Sequence, residues 1–227
     1  HDLRTPLTRL RGRLENLAGR PDLNDDLRGE LASAMTEADH LLATFRALLR
    51  IARIESGTHD REWVEVDLRP LLEDAWELYQ AVGEEKGIAG HLGNASGRLR
   101  GDRSLLFQAL CNLLDNAIKY SPPGSEVTLA ASETSDALEI SVADRGPGVP
   151  AAERDKVMDR FYRSAAVAGV PGSGLGLSLV KAIAHHHGGQ LVLTDNAPGL
   201  RATLRLPRRT GAGSGPLPEL ALAGPIQ

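Results

Sequence analysis

The run Cys111-Asn112-Leu113-Leu114-Asp115-Asn116-Ala117-Ile118-Lys119-Tyr120 carries two patterns at once. Asn112, Asn116 and Lys119 stand at i, i+4 and i+7, so they share one face of a helix. Leu110, Leu113, Leu114 and Ala117 lie on the other side. Gly101-Asp102 opens this helix with Asp102 as its cap, and Ser121-Pro122-Pro123-Gly124 stops it. A helix of this kind buries one side and holds two carboxamides and an ammonium on the other. Asn oxygens suit a hard cation and a Lys suits a phosphate oxygen, so the polar face can serve a Mg-phosphate group. Taken alone, it can equally be a solvated face.

Downstream, the apolar period changes to two. Val127, Leu129 and Ala131 alternate with polar residues, as do Leu138, Ile140 and Val142, which predicts two half-buried antiparallel strands. Asp144-Arg145-Gly146-Pro147-Gly148 follows the second strand. There a carboxylate can accept a hydrogen bond from an adenine amino group, and the two glycines let the backbone approach a flat ligand. The same residues also make an ordinary turn. Gly172-Ser173-Gly174-Leu175-Gly176-Leu177 then leads into a helix through Val180 and Ile183, whose free N–H groups attract phosphate. No parallel βαβ unit precedes this box and no Gly-Lys-Ser/Thr follows it, so it is neither a dinucleotide fingerprint nor a P-loop. Residues 190–194 and 201–206 read as two closing strands. Adjacent positions on a helix point in different directions, so His185, His186 and His187 cannot all ligate one ion. Cys111 reads as a buried small residue.

Upstream, Trp63-Val64-Glu65-Val66 reads as a short strand, and Asp67 caps a helix through Leu71, Leu72, Ala75, Leu78 and Tyr79, with Pro70 in its first turn. The first 56 residues are helical in pattern. Leu3, Leu7, Leu10, Leu14 and Leu17 form one stripe, and Gly19-Arg20-Pro21-Asp22 interrupts it. A second stripe runs through Leu27, Leu31, Ala34, Ala38, Leu41, Leu42, Phe45, Leu48, Leu49 and Ile54. A lone hairpin buries too little apolar surface. Either two hairpins pair into a four-helix bundle, or the stripes pack on the rest of the same chain.

The composition is that of a globular chain of 227 residues, with 41% hydrophobic and 25% charged residues. A net charge of -4 gives no basic footprint for nucleic acid. One cysteine excludes an internal disulfide. No apolar run is long enough to span a membrane. The chain begins at His1, which reads as a fragment, and the Gly-, Pro- and Ala-rich segment 209–227 is expected to be a disordered tail.

The Asn-bearing helix, Asp144-x-Gly146-x-Gly148, Arg160-Phe161-Tyr162-Arg163, the glycine box and His187-Gly188-Gly189, in that order, resemble the ATP-binding domain of sensor histidine kinases. This domain belongs to the superfamily of gyrase, Hsp90 and MutL-type ATPases. His1-Asp2-Leu3-Arg4-Thr5-Pro6 resembles the phosphoacceptor box of those kinases, which gyrase, Hsp90 and MutL lack. The resemblance implies an α+β chain in which residues 1-58 form a dimerisation and phosphotransfer hairpin, a four-helix bundle in the homodimer. Residues 59-208 would form an antiparallel-sheet and helix sandwich that binds ATP.

It further implies His1 as nucleophile, Asp2 as its hydrogen-bonded orienter and Thr5 as a phosphatase residue. Asn116 and Asn112 would hold Mg2+, with Lys119, Tyr120, Asp144, Gly146 and Gly148 around the nucleotide. Gly172, Ser173, Gly174, Leu175 and Gly176 would form the phosphate turn, and 161–173 a mobile lid that includes Phe161. Arg160 or Arg163 would neutralise charge on the phosphoryl group, and the resemblance does not rank them. The implied cofactors are ATP and Mg2+. The implied partners are a second copy and the receiver domain of a response regulator, with the membrane reached only through upstream segments of an inner-membrane receptor whose cytoplasmic part this is. An ATP-binding scaffold, a phosphatase-biased enzyme and a gyrase-like ATPase are the rival readings.

Overall fold

The computed structural model describes residues 4–20, 23–57, 63–167 and 169–208. His1, Asp2 and the tail 209–227 lie outside them. The helical hairpin is formed by α1 (Arg4–Ala18) and α2 (Asp25–Glu55). The break falls at Gly19 and Arg20, where the expected turn stands, and Asn24 caps α2 by accepting from the Leu27 N–H at 2.9 Å. Ser56 closes α2, and Gly57 turns the chain at φ +67°.

β1 (Trp63–Asp67) pairs antiparallel with β3 (Arg98–Asp102), flanking α3 (Leu68–Glu85) and β2 (Ala89–Ala95). Next come α4 (Arg103–Tyr120), β4 (Glu126–Glu133), β5 (Ala137–Ala143), three short 3-10 turns between 151 and 167, α5 (Gly176–His186), β6 (Gln190–Asp195) and β7 (Leu200–Pro207). A five-stranded sheet runs β2-β4-β5-β7-β6. Its β4–β5, β5–β7 and β6–β7 pairs are antiparallel as expected, while β2 lies parallel to β4, so the sheet is mixed. β2 and β3 carry no alternating apolar signal, and Ala89-Gly90-His91-Leu92-Gly93 becomes a strand only beside β4.

α3, α4 and α5 cover one face of this sheet. The core is one cluster that joins Leu71, Leu72, Leu105, Leu106, Leu110, Leu113 and Leu114 to Leu129, Ile140, Ile183 and Leu204. Each such Leu or Ile contributes roughly 1.5–3 kcal/mol when fully buried. Ile51 and Ile54, from the end of α2, are buried in the same cluster, and α2 packs on α5. Leu10, Leu17, Leu27, Leu41 and Leu49 of the hairpin stay exposed. The two alternatives for the apolar stripes therefore divide along α2: its end is buried in the core of the following domain, while its upper part packs on α1, with Ala38 and Leu42 buried and Leu10, Leu17, Leu27 and Leu41 left exposed.

α4 is fixed at both ends. The Asp102 carboxylate accepts from the Leu105 N–H at 3.0 Å, and the Asp102 N–H donates to Nε2 of buried His187 at 3.0 Å. Nε2 must therefore be unprotonated, and Nδ1 donates to the Ile183 carbonyl at 2.8 Å. At the other end, Lys86 Nζ donates to the carbonyls of Ile118 and Lys119 at 2.6 and 2.8 Å, where a helix has spare acceptors.

Candidate functional site

The buried side of α4 (Leu105, Leu106, Ala109, Leu110, Leu113, Leu114, Ala117, Ile118) points its opposite side into a cleft of about 380 Å³. Asn112, Asn116, Lys119 and Tyr120 line one wall, and Gly172, Ser173, Gly174 and Gly176 another. Asp144, Gly148, Val142, Leu200 and Ala202 close the sheet end, and Arg163, Ser164 and Val167 form the lid side. Of the residues singled out from sequence, Gly146 and Leu175 support the cleft from behind. The Gly146 N–H binds Asp144, and Leu175 is buried in the core under the glycine turn. Phe161 is exposed outside the cleft. His1 and Asp2 are not among the described residues, and Thr5 lies in α1 without a described side chain.

At the sheet end, Asp144 is buried and both hydrogen bonds to its carboxylate fall on Oδ1, from the N–H groups of Gly146 at 2.8 Å and Leu200 at 3.1 Å. Among the described residues, no donor is placed on Oδ2. Burial pushes the Asp144 carboxyl above the usual carboxylate range, against the pull of those two amides. Its backbone carbonyl accepts from Asn196 Nδ2 at 2.8 Å, which anchors the β6–β7 turn beneath it. Asn196 and Leu200 stand more than fifty positions away, and no local pattern in the sequence marks them as partners of Asp144.

At the other end, Asn112 Nδ2 donates to the Gln108 carbonyl at 2.8 Å, which leaves its Oδ1 on the cleft side. A Cβ on Gly176 would stand 3.6 Å from that Oδ1 and 3.4 Å from Asn116 Nδ2, so the glycine turn and the two carboxamides face each other across a narrow space. Lys119 Nζ would stand only 2.7 Å from a Cβ on Gly172, so a side chain at 172 would displace the ammonium. Burial lowers the Lys119 pKa, with Arg163 adding to the effect and Asp115 opposing it. A cation that is poorly solvated and faces another cation gains from an arriving polyanion. Gly174 is held at φ +69°, where a Cβ would meet the Phe161 backbone at 2.8 Å. The Phe161 N–H in turn donates to the Gly174 carbonyl at 3.0 Å.

The two arginines left unranked take different places. Arg163 lines the cleft, and its guanidinium donates to the carbonyls of Val167 (3.0 Å) and Val170, which folds the lid over itself. Arg160 turns away to Glu55 at the end of α2, at 2.6 Å from Oε1.

The model described as "Histidine kinase-, DNA gyrase B-, and HSP90-like ATPase" matches residues 101–210, and the "His Kinase A (phospho-acceptor) domain" matches residues 1–57. The solved "Mycobacterial sensor histidine kinase MprB" is 35% identical and covers 64% of this chain and 97% of its own, with a TM-score of 0.57. This chain belongs to the sensor histidine kinases. Among full-length relatives, the "Signal transduction histidine-protein kinase/phosphatase MprB" of Mycobacterium sp. (strain KMS) is 36% identical over 234 residues, 96% of this chain and 45% of that protein. The solved structure described as "Crystal structure of ShkA full-length in complex with AMPPNP" is 28% identical with a TM-score of 0.77, over 94% of this chain and 45% of that one. The chain thus spans about half the length of the curated relatives it matches. In this sensor kinase chain, the helical hairpin precedes an α+β domain of the histidine kinase ATPase type.

Proposed function

We propose that this chain is the catalytic core of a two-component sensor kinase that phosphorylates His1 from Mg-ATP and passes the phosphoryl group to an aspartate of a response regulator's receiver domain. One observation carries the reading. A single cleft has a buried carboxylate with a free oxygen at one end, and two carboxamides and an ammonium under a glycine turn at the other. That arrangement suits an adenine amino group and a metal-bound triphosphate on one ligand. The working units are residues 1-58 for acceptance and dimerisation and 59-208 for ATP.

ATP would lie with its adenine against Asp144, between Val142, Leu200 and Ala202, beside Gly148 and Tyr120. Its phosphates would meet Lys119 and the N–H groups of residues 172–176 at the start of α5. The donor set fits Mg2+, because Asn112 and Asn116 offer neutral oxygens beside the phosphate turn. A Mg2+ ion needs only one or two protein oxygens when phosphates and water supply the rest. When bound, Mg2+ supplies charge neutralisation on the phosphates. Arg163, which lines the cleft, would share that task.

In the transfer, a His1 ring nitrogen attacks the γ-phosphorus, the N–P bond forms as the bridging P–O bond to ADP breaks, and Asp2 holds the other nitrogen's proton. Thr5, four positions on, would position water for dephosphorylating the regulator. Among the described residues, no helix is long and apolar enough to cross a membrane. The place on the cytoplasmic side of an inner-membrane receptor belongs to the same proposal.

The test is incubation with γ-labelled ATP and Mg2+, using wild type, His1→Gln and Asn116→Ala. The expected label is stable to alkali, labile to acid and lost in both variants. A wild-type chain that binds ATP and takes no label would instead favour the scaffold or phosphatase reading.

A further inference from the structure

His40 belongs to the hairpin, yet it lines the same cleft as Asn116, Arg163 and Gly172. It sits on the exposed side of α2, with Asp39, its neighbour, turned to Arg11 of α1. Three contacts bring α2 to the cleft. Ile51 and Ile54 are buried in the core of the second domain, α2 packs on α5, and Glu55 holds Arg160. The side of approach matters. The first turn of α5 is the wall that faces Asn112 and Asn116, whereas Asp144, Leu200 and Ala202 close the cleft from the sheet. A helix that packs on α5 therefore reaches the cleft from the carboxamide and glycine-turn side.

From this placement we infer that His40 is a binding residue for the terminal phosphate of the nucleotide, supplied by the hairpin across the domain junction. An imidazole N–H is a suitable donor to a phosphate oxygen. Lys119 and the glycine turn line the same cleft and would meet the phosphates beside it. The inference rests on the cleft being an ATP site. Nucleotide with its γ-phosphate would hold hairpin and ATPase domain together through His40, and ADP would not. The hairpin's position thereby becomes sensitive to the state of the nucleotide.

The full chain, with Mg2+, would be titrated calorimetrically with ADP and with a non-hydrolysable ATP analogue, comparing wild type, His40→Ala and His40→Gln. His40 is an exposed helix residue, so neither substitution disturbs the core. The expected result is that His40→Ala weakens the triphosphate about tenfold and leaves ADP unchanged, a loss typical of one charge-assisted hydrogen bond. His40→Gln, which keeps an N–H donor, recovers part of the difference. Equal effects on both nucleotides, or none on either, would overturn the role of His40 while leaving the ATP site intact. Failure of the wild-type chain to bind either nucleotide would remove the ATP site and this inference together.

Discussion

Asp144 separates folding from binding at the scale of one residue. Burial favours its protonated form, so the stability it contributes is full below the ordinary Asp pKa and is lost as pH rises through its raised folded value. At neutral pH its ionised form is a cost to the fold. Asp144→Asn keeps an oxygen for the Gly146 and Leu200 amides and removes the charge, so thermal unfolding at pH 7 should be unchanged or shift upward. The same change places an N–H donor where adenine needs an acceptor, and ATP affinity should fall at least about tenfold, the scale of a lost charge-assisted bond with a donor left unpaired. In wild type, affinity should weaken on acidification at a higher pH than an ordinary Asp would give, and the variant should lack that step. A variant that loses stability as much as affinity would mean that Asp144 is chiefly structural. The residue was legible in the sequence as a carboxylate after a strand. Its partners were not, because Asn196 and Leu200 reach it only through the β5–β7 pairing.

At the scale of elements, the glycine turn and α5 form one unit. Gly174 adopts a left-handed conformation against the Phe161 backbone, and the Phe161 N–H binds it in return, so turn and lid root are locked together. Gly174→Ala should cost about 1–2 kcal/mol from the left-handed backbone alone, with more from the contact. Nucleotide affinity should fall further than stability, as read by nucleotide titration beside thermal unfolding. Unchanged affinity would detach the turn from the phosphate site. The helices were readable because a period of 3.6 residues and a capping Asp are local signals, as Asp67 and Asp102 illustrate. β2 was not. Its glycines and Ala89 have little strand propensity, and it exists because β4 offers a parallel edge and the Trp76 ring lies over Gly90, where a Cβ would stand 2.0 Å from it.

The whole molecule leaves apolar surface on the hairpin uncovered. Leu10, Leu17, Leu27 and Leu41 are each between 44% and 49% exposed, and they occur on α1 and α2, away from the Ile51 and Ile54 anchor. A second copy would cover them and complete a four-helix bundle. Light scattering should find twice the single-chain mass, and Leu10→Glu with Leu41→Glu should give a monomer that retains nucleotide binding, since neither residue lines the cleft. A wild-type monomer would contradict the bundle. The Glu55–Arg160 pair that helps hold α2 on the second domain is partly exposed, and pairs of that kind contribute about 0–1 kcal/mol. The buried isoleucines are therefore the stronger part of the junction.

From the sequence alone followed the hairpin, the capped Asn-bearing helix, the strand that ends at Asp144, the glycine box and the order in which they occur. All of these are encoded by residues within one or two turns of each other. Tertiary structure decided which groups share the cleft. Arg163 enters it while Arg160, three positions earlier, leaves it for Glu55, and His40 arrives from another domain. It also decided that the edge strand runs parallel and that the end of α2 joins the ATPase core. The physical reason is common to all four. Each depends on which buried surface and which unpaired backbone edge finds its partner across a long stretch of chain, and local periodicity carries no record of that choice.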